Sequence, residues 1–191
     1  MRVGTPMSSR TGRIRSLVRL VSRLRRSGRV ALLIDGPNVL RREFDVRLDD
    51  LKNQIKALGK IGAAKVYLNE RASNKLLEAI SNSGFTPVVT TTDVHLQMSI
   101  EAMDLVLGDA TKLLVIFSRH ARTAPILRRA RELGLETLAI GFDPGFSVAV
   151  QNAADHVLRI DRPLEDQIQK VKGKKKKDKK QDEEDDWDFD D

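Results

Sequence analysis

The chain has 191 residues, with 34 lysines and arginines against 27 acidic residues, a formal net charge of +7, and no cysteine. The lack of cysteine excludes disulfides and thiolate metal sites, and the length suits one α/β domain with tails. Because no apolar run approaches the roughly 18 residues of a membrane span and the N-terminus lacks the apolar block of a secretory signal, we expect a cytoplasmic protein with no membrane partner.

The excess positive charge lies at one end of the chain. Residues 1–29 contain nine arginines and no acid, residues 30–161 contain 16 basic and 16 acidic residues, and residues 162–191 contain nine basic and eleven acidic residues. These shifts divide the chain into an N-terminal arm (1–29), a neutral globular domain (30–161) and a C-terminal tail (162–191).

Apolar residues at helical spacing predict an amphipathic helix over residues 12–27 of the arm, ended by Gly28. Arginines occupy the rest of this helix and suit nucleic-acid phosphate, because a guanidinium can bind two oxygens at once. The candidate RNA-binding residues of the arm are Arg13, Arg15, Arg19 and Arg23. A solubilising arm and a helix lying on a membrane surface are the alternatives.

The globular domain alternates short apolar runs with helical patterns. Strands are predicted at 30–34, 63–68, 85–89, 112–117 and 136–140, with a sixth, edge strand at 156–160. Helices are predicted at 48–59, 73–84, 98–107, 125–133 and 147–154, and Asn38 is placed to cap the first of them. This alternation predicts an α/β fold with a mainly parallel sheet of five or six strands, whose ligand chemistry lies at the carboxyl ends of the strands.

Several acidic residues fall near those strand ends. Asp35 directly follows the first strand, although it could serve only the turn there. Asp93 and His95 are two apart, so in an extended loop they share one face. Glu101 stands in an apolar setting, with Asp104 three residues later, which suggests a site residue or a partner for a nearby arginine.

Three segments, "ALLIDGPNVLR", "DVHLQMSIEAM" and "IGFDPGFSVAVQNAADHVL", resemble the NYN domain family, and especially its archaeal branch. This family is related to the PIN nuclease domain, and the resemblance covers about residues 12–161 in collinear order. It implies a three-layer α/β sandwich whose strand ends gather acids around Mg²⁺ or Mn²⁺ for RNA cleavage.

Only part of the family's acidic set is present. The resemblance assigns catalytic roles to Asp35, Asn38 and Glu101, with Asp35 and Glu101 as metal ligands. A further family acid falls on His95, with Asp93 as a stand-in catalytic residue and metal ligand. After the fourth strand, where the family has Ser or Thr followed by two spaced aspartates, this chain reads "SRHART", with His120 and Arg122 in place of the aspartates.

This departure predicts an eroded metal site. A unit charge about 4 Å away is worth about 4 kcal/mol at an effective dielectric near 20, so lost acids and gained cations should weaken Mg²⁺ binding strongly. We therefore expect an RNA-binding protein of the NYN type that is weakly active or inactive, with Asp35 and Glu101 paired to Arg119, Arg122 or His120. The expected RNA contacts in the domain are His95, Arg119, His120, Arg122 and Arg41.

Other functions remain open. An active endoribonuclease would hold Mg²⁺ or Mn²⁺ with Asp35, Asp93 and Glu101, and with Asp104 as a further acid. Cleavage without metal would use His95 or His120 as acid or base, since histidine titrates near neutrality. In the simplest alternative, the residues of the "SRHART" loop are exposed to solvent and have no functional role. The sequence also leaves a homodimer open.

The tail separates its basic and acidic residues into two consecutive blocks. Eight lysines lie between residues 170 and 180, and the last eleven residues hold eight acids together with Trp187 and Phe189. Such charge blocks do not build a core, so a solubilising tail is one reading. The other is a partner-docking motif in which the two aromatic residues fill an apolar pocket, which would make the protein a non-catalytic adaptor.

Overall fold

The structure is a computed structural model that describes residues 28–41, 44, 46–108 and 110–161. The predicted arm helix, with Arg13, Arg15, Arg19 and Arg23, lies outside the described residues, as does the tail with Trp187 and Phe189. Within the described ranges, no helix has the length and apolar character that crossing a membrane requires.

Six strands and six helices alternate along the described chain. The strands are β1 (Arg29–Asp35), β2 (Lys60–Asn69), β3 (Thr86–Thr90), β4 (Thr111–Phe117), β5 (Glu136–Asp143) and β6 (His156–Asp161). The helices are α1 (Gly36–Val39), α2 (Leu48–Ile55), α3 (Asn74–Asn82), α4 (Val94–Leu107), α5 (Ala124–Glu132) and α6 (Val148–Ala153). A single 3₁₀ turn, Ala121–Thr123, precedes α5.

The strands form one sheet in the order β3-β2-β1-β4-β5-β6. β1 pairs in parallel with both β2 and β4, β2 pairs in parallel with β3, and β4 with β5. The predicted sixth strand is confirmed as an edge strand. Chain order reverses between β1 and β4, so the crevice beyond their carboxyl ends is the place where open α/β sheets bind ligands.

Each face of the sheet carries its own apolar core. On one face, side chains of β1 and β4 pack with Leu51 and Ile55 of α2 and Ile80 of α3. On the other face, alternate residues of the same strands pack with α4, α5 and α6. Because both faces are covered, residues 30–35 of β1 are all buried, which is why this strand reads as a continuous apolar run. The predicted three-layer α/β sandwich is confirmed.

Two local predictions were wrong. Asn38 does not cap a later helix. It lies within α1, a single helical turn after β1, and its side chain donates to Asp35. Residues 93–95 are not an extended loop, because α4 begins at Val94, four residues earlier than predicted. Asp93 caps this helix: its carboxylate accepts the backbone N–H groups of His95 and Leu96 at 2.8 and 3.1 Å, which satisfies donors that the first turn leaves free.

Candidate functional site at the carboxyl ends of β1 and β4

Asp35 is the centre of the site. It ends β1, is fully buried, and faces the same side of the sheet as α4. Its Oδ2 atom accepts three hydrogen bonds, from Ser118 Oγ at 2.6 Å, Asn38 Nδ2 at 2.9 Å and His95 Nε2 at 3.0 Å. Its Oδ1 atom is buried without a hydrogen-bond partner among the described residues. One carboxylate oxygen is therefore fully used, and the other is buried and unpartnered.

Asp35 is held as an anion by these donors. Burial raises the pKa of its carboxyl, but the hydrogen bonds from His95 and Ser118, the charge of His95 and the Asn38 amide outweigh burial, so the pKa lies below its ordinary value. The hydrogen bond to Asp35 raises the pKa of His95 above 6.5, against the opposing effect of burial. The two shifts favour an ion pair between a buried carboxylate and an imidazolium.

His95 reaches Asp35 because of the helix that carries it. It is the second residue of α4, whose N-terminus lies at the carboxyl ends of the strands, and only 13% of its side chain is exposed. Its other ring nitrogen, Nδ1, lies 3.5 Å from Asp93 Oδ1. Both nitrogens of His95 therefore face carboxylates, which suits a fixed cation better than a residue that exchanges protons with a substrate.

Arg122 and Asp93 form a second acid–base pair at the rim. The guanidinium Nη1 of Arg122 contacts Asp93 Oδ2, while Asp93 Oδ1 caps α4. The backbone N–H of Leu96 contributes most to lowering the pKa of Asp93, with smaller contributions from His95 and Arg122. The pair is exposed, at 63% for Arg122 and 41% for Asp93, so its net strength is small. An arriving anion can therefore compete for the guanidinium.

The "SRHART" loop is ordered by its own hydrogen bonds. Ser118 Oγ accepts the N–H of His120 at 3.1 Å while it donates to Asp35, which ties the loop to β1. His120 Nδ1 accepts the N–H of Arg122 at 3.3 Å, so the neutral ring carries its proton on Nε2. The ring of His120 stacks on that of His95, with 4.6 Å between centroids. The result is an exposed imidazole donor beside an exposed guanidinium.

Glu101 has a different set of partners. Its Oε2 accepts hydrogen bonds from Lys65 Nζ and from Tyr67 Oη at 3.1 Å, and its Oε1 accepts from Gln97 Nε2 at 2.8 Å. Burial raises the pKa of Glu101, but Lys65 and Gln97 outweigh it, so the pKa lies below its ordinary value. Burial and the Glu101 charge raise the pKa of Tyr67 strongly. The negative charge of Glu101 is thus compensated by Lys65 of β2.

The acid pairs differ from the expected ones. The sequence suggested Arg119, Arg122 or His120 as partners for Asp35 and Glu101, whereas the structure pairs Asp35 with His95 and Glu101 with Lys65. Arg122 pairs instead with Asp93, because the capping position turns that carboxylate toward the loop after β4. Asp104, the further acid considered, is exposed on α4.

The remaining candidates lie around this centre. The Arg119 guanidinium lies 5.5 Å from the centroid of the Phe44 ring, and its backbone carbonyl accepts the N–H of Ser147. Arg41 is exposed and its Nε donates to the Pro37 carbonyl at 3.0 Å.

Sequence reasoning missed three residues as site members. Ser118 was noted only as the first residue of a motif, yet its hydroxyl joins Asp35 to the loop. Lys65 and Tyr67 were not singled out, although a lysine inside the apolar strand "AAKVYL" is a signal for a buried or half-buried acid on a facing element.

The side chains present do not fit a carboxylate-held Mg²⁺ or Mn²⁺. Among the described residues, no three histidine, aspartate or glutamate side chains form a group that could hold a metal ion. These hard cations take oxygen ligands, and Mg²⁺ demands octahedral geometry. Here Asp35 offers one unpartnered oxygen beside a histidine with a raised pKa, and Asp93 is committed to Arg122 and a helix cap. The second carboxylate of such a site is therefore missing.

Comparisons with known proteins place the chain in a family. The NYN domain profile matches residues 29–161. An uncharacterized protein of Methanocaldococcus jannaschii is 41% identical over 148 residues, which cover 78% of this chain and 62% of that protein. A solved structure of a protein of unknown function from Vibrio parahaemolyticus matches with a TM-score of 0.62 at 15% identity, over 71% of this chain and 94% of that one.

The fold and the site at the β1/β4 crevice define a three-layer α/β protein with an acid at its ligand-binding edge. The chain belongs to the NYN domain family, within the PIN-like nuclease group. Nucleases of this group generally use divalent metals. The Vibrio structure supports the fold alone, and the chain spans less than two thirds of its archaeal relative.

Proposed function

We propose that this NYN-domain protein binds RNA through phosphate contacts at the carboxyl ends of β1 and β4, with weak or no metal-dependent cleavage. The observation that carries the proposal is that each of the three candidate acids has a basic partner of its own. Asp35 faces His95, Asp93 faces Arg122, and Glu101 faces Lys65. A divalent cation would have to displace these cations to obtain its ligands.

The rim supplies donors for an RNA phosphate. Arg122 is mostly exposed and its pairing with Asp93 is weak, so its forked donors remain available to phosphate oxygens. The Nε2–H of His120 lies beside it, and α5 begins two residues after Arg122, where the helix dipole favours an anion. The arginine-rich arm would add sequence-independent affinity.

Binding and cleavage can be measured on the same full-length protein. We expect a labelled single-stranded RNA to bind with an affinity that falls steeply with salt, because phosphate contacts release counterions. Arg122→Ala should weaken binding severalfold and reduce the slope of log K against log salt by about one. Arg129→Ala is the matched control, because Arg129 is also exposed and paired with an acid, Glu132, but lies near the C-terminal end of α5.

Cleavage should be absent or marginal with Mg²⁺ or Mn²⁺, and any residual activity should survive Asp35→Asn when it is assayed below the lowered Tm of that variant. Robust metal-dependent cleavage that Asp35→Asn abolishes would show that the chain is an active endoribonuclease. One observation favours that second candidate: the buried Oδ1 of Asp35 has no hydrogen-bond partner among the described residues, so this carboxylate oxygen is not already in use. Calorimetry with Mn²⁺ distinguishes the two functions, because the active enzyme should bind the ion without RNA.

A further inference from the structure

Helix α4 is apolar on two opposite faces. Met98, Ala102 and Val106 are buried against the sheet. On the far side lie Leu96, Ile100 and Leu107, which are 56%, 53% and 67% exposed, and the partly buried Met103. Single exposed apolar residues are ordinary on a protein surface, but a contiguous line of them marks an interaction site. We call Leu96, Ile100, Met103 and Leu107 the α4 stripe.

The spacing of the α4 stripe is that of a helix-pairing seam. Its members are separated by four, three and four residues, which is the alternation that keeps one helix face against another. This spacing is symmetric about its midpoint. In an antiparallel pair, Leu96 therefore lies against Leu107 of the second helix, and Ile100 against Met103. A surface that matches itself in this way meets the requirement of a two-fold interface.

We propose that the α4 stripe is a dimer interface, in which a second copy of this chain packs its own α4 antiparallel to the first. This proposal does not depend on RNA binding or on the state of the metal site. It rests on the exposed Leu96, Ile100 and Leu107, with Met103 packed partly against the core, whereas Asp35, His95 and Glu101 lie on or beside the face that packs on the strands.

The polar residues beside the stripe favour the antiparallel direction. The exposed Asp104 and the half-buried Ser99 flank it on opposite sides, with Gln97 on the same side as Asp104. In an antiparallel two-fold pair each flank meets the same flank of the other copy, which places Asp104 of one copy beside Gln97 of the other, whose side-chain amide can donate a hydrogen bond. Parallel pairing instead places the Asp104 flank against the Ser99 flank of the other copy, where the Ser99 hydroxyl already donates to the His95 carbonyl at 2.6 Å. Antiparallel helices also align their dipoles favourably.

The size of the surface indicates a reversible dimer. Specific interfaces bury about 800 Å² on each partner, with an apolar centre and a polar rim. The α4 stripe runs about 16 Å along the helix and supplies such a centre, and its polar flanks supply part of the rim. Because this apolar centre comes from a single helix, we expect a dimer that dissociates on dilution.

Sedimentation of the full chain over a wide concentration range tests the dimer. We expect a monomer–dimer equilibrium for the wild type, and at least a 100-fold weaker dimer for Ile100→Glu and for Leu107→Glu. Val148→Glu is the matched control, because Val148 on α6 is as exposed as Leu107, at 67%, and should leave the dimer unchanged. Circular dichroism melts verify that all three variants remain folded.

Crosslinking tests the direction of pairing. Because the chain has no cysteine, Leu96→Cys and Leu107→Cys each introduce a single thiol. Mixing the two variants and oxidising them should give a covalent dimer containing one of each, while each variant alone stays uncrosslinked. In the antiparallel pair, identical positions are separated far beyond the Cα spacing of roughly 4.4–6.8 Å that a disulfide needs. Efficient crosslinking of each variant with itself would overturn the antiparallel arrangement.

A wild-type chain that remains monomeric at every concentration would overturn the dimer. Removing residues 1–27 then identifies the alternative occupant. If the shortened chain, unlike the full chain, dimerises or binds an apolar dye, the N-terminal arm covers the stripe instead. If Val148→Glu disrupts the dimer as strongly as Ile100→Glu, the interface lies elsewhere and the proposal is wrong.

Discussion

Asp35→Asn should strongly destabilise the protein, because Asp35 is a buried acceptor with three donors and a cationic partner. Its side chain is 0% exposed, and that of His95 is 13% exposed. Hydrogen bonds to a charged group contribute about 1.5–3 kcal/mol each, against about 0.5–1.5 for neutral pairs, so three weakened bonds cost about 3 kcal/mol. This agrees with the roughly 3–5 kcal/mol measured when one partner of a buried ion pair is removed.

Thermal unfolding at pH 6, where the raised pKa of His95 keeps it largely protonated, is the suitable assay. For a domain of this size, a loss of about 3 kcal/mol lowers Tm by about 10 °C. Asp104→Asn makes the same change at an exposed position on α4 and should alter stability by less than about 0.5 kcal/mol. In an acid cluster built for a metal, removing one carboxylate relieves repulsion. An unchanged or higher Tm for Asp35→Asn, together with a Tm that Mn²⁺ raises, would therefore refute the paired-acid interpretation.

Three further predictions concern the same site and its support. The raised pKa of His95 stabilises the fold below 6.5 and loses that effect as pH rises through the folded pKa. The lowered pKa of Asp35 stabilises the fold above 3.8, so the Tm difference between wild type and His95→Asn should be largest between about pH 4 and 6.5 and shrink as the pH rises through the folded pKa of His95. Ser118→Ala removes a donor to Asp35 and the acceptor of a loop N–H, and should cost about 2 kcal/mol in urea unfolding. Gly36→Ala should destabilise by more than about 2 kcal/mol, because its Cβ would lie 2.6 Å from the Tyr67 carbonyl, whereas Gly108→Ala meets only ordinary contacts and should be near neutral.

The strands and their burial could be predicted because they depend on local composition. The run "VALLI" contains no polar residue that would favour contact with water. It therefore predicts a strand covered on both faces, and the structure buries it completely. The alternation of such runs with helical patterns then defines a parallel sheet, and Asp35 at the end of the first run falls on its ligand-binding edge. The position of the candidate site followed from topology, without knowledge of any contact.

The pairing of the acids could not be predicted because it depends on where one helix begins. With α4 starting near residue 98, Asp93 and His95 would lie in a loop with no fixed direction. Asp93 instead caps α4 at Val94, which brings His95 into the first turn and its ring over Asp35. The capping signal was present in the sequence, but apolar periodicity gave no sign of it, because α4 is apolar on nearly all sides. Glu101 and Lys65 are 36 residues apart, and only the crossover from β2 through α4 brings them together.

The pairing also determines which ion the site attracts. Around the β1/β4 crevice, the charge of Asp93 is matched by that of Arg122, and the charge of Asp35 is matched by that of His95 once the ring is protonated. A divalent cation gains little from such a site, because each carboxylate it approaches already faces a cation. A phosphate gains from the exposed guanidinium and from the imidazole beside it, and gains more as His95 becomes protonated. Because the pKa of His95 is raised, that protonated state extends above pH 6.5, so RNA binding should strengthen as pH falls toward that range while Asp35 remains ionised.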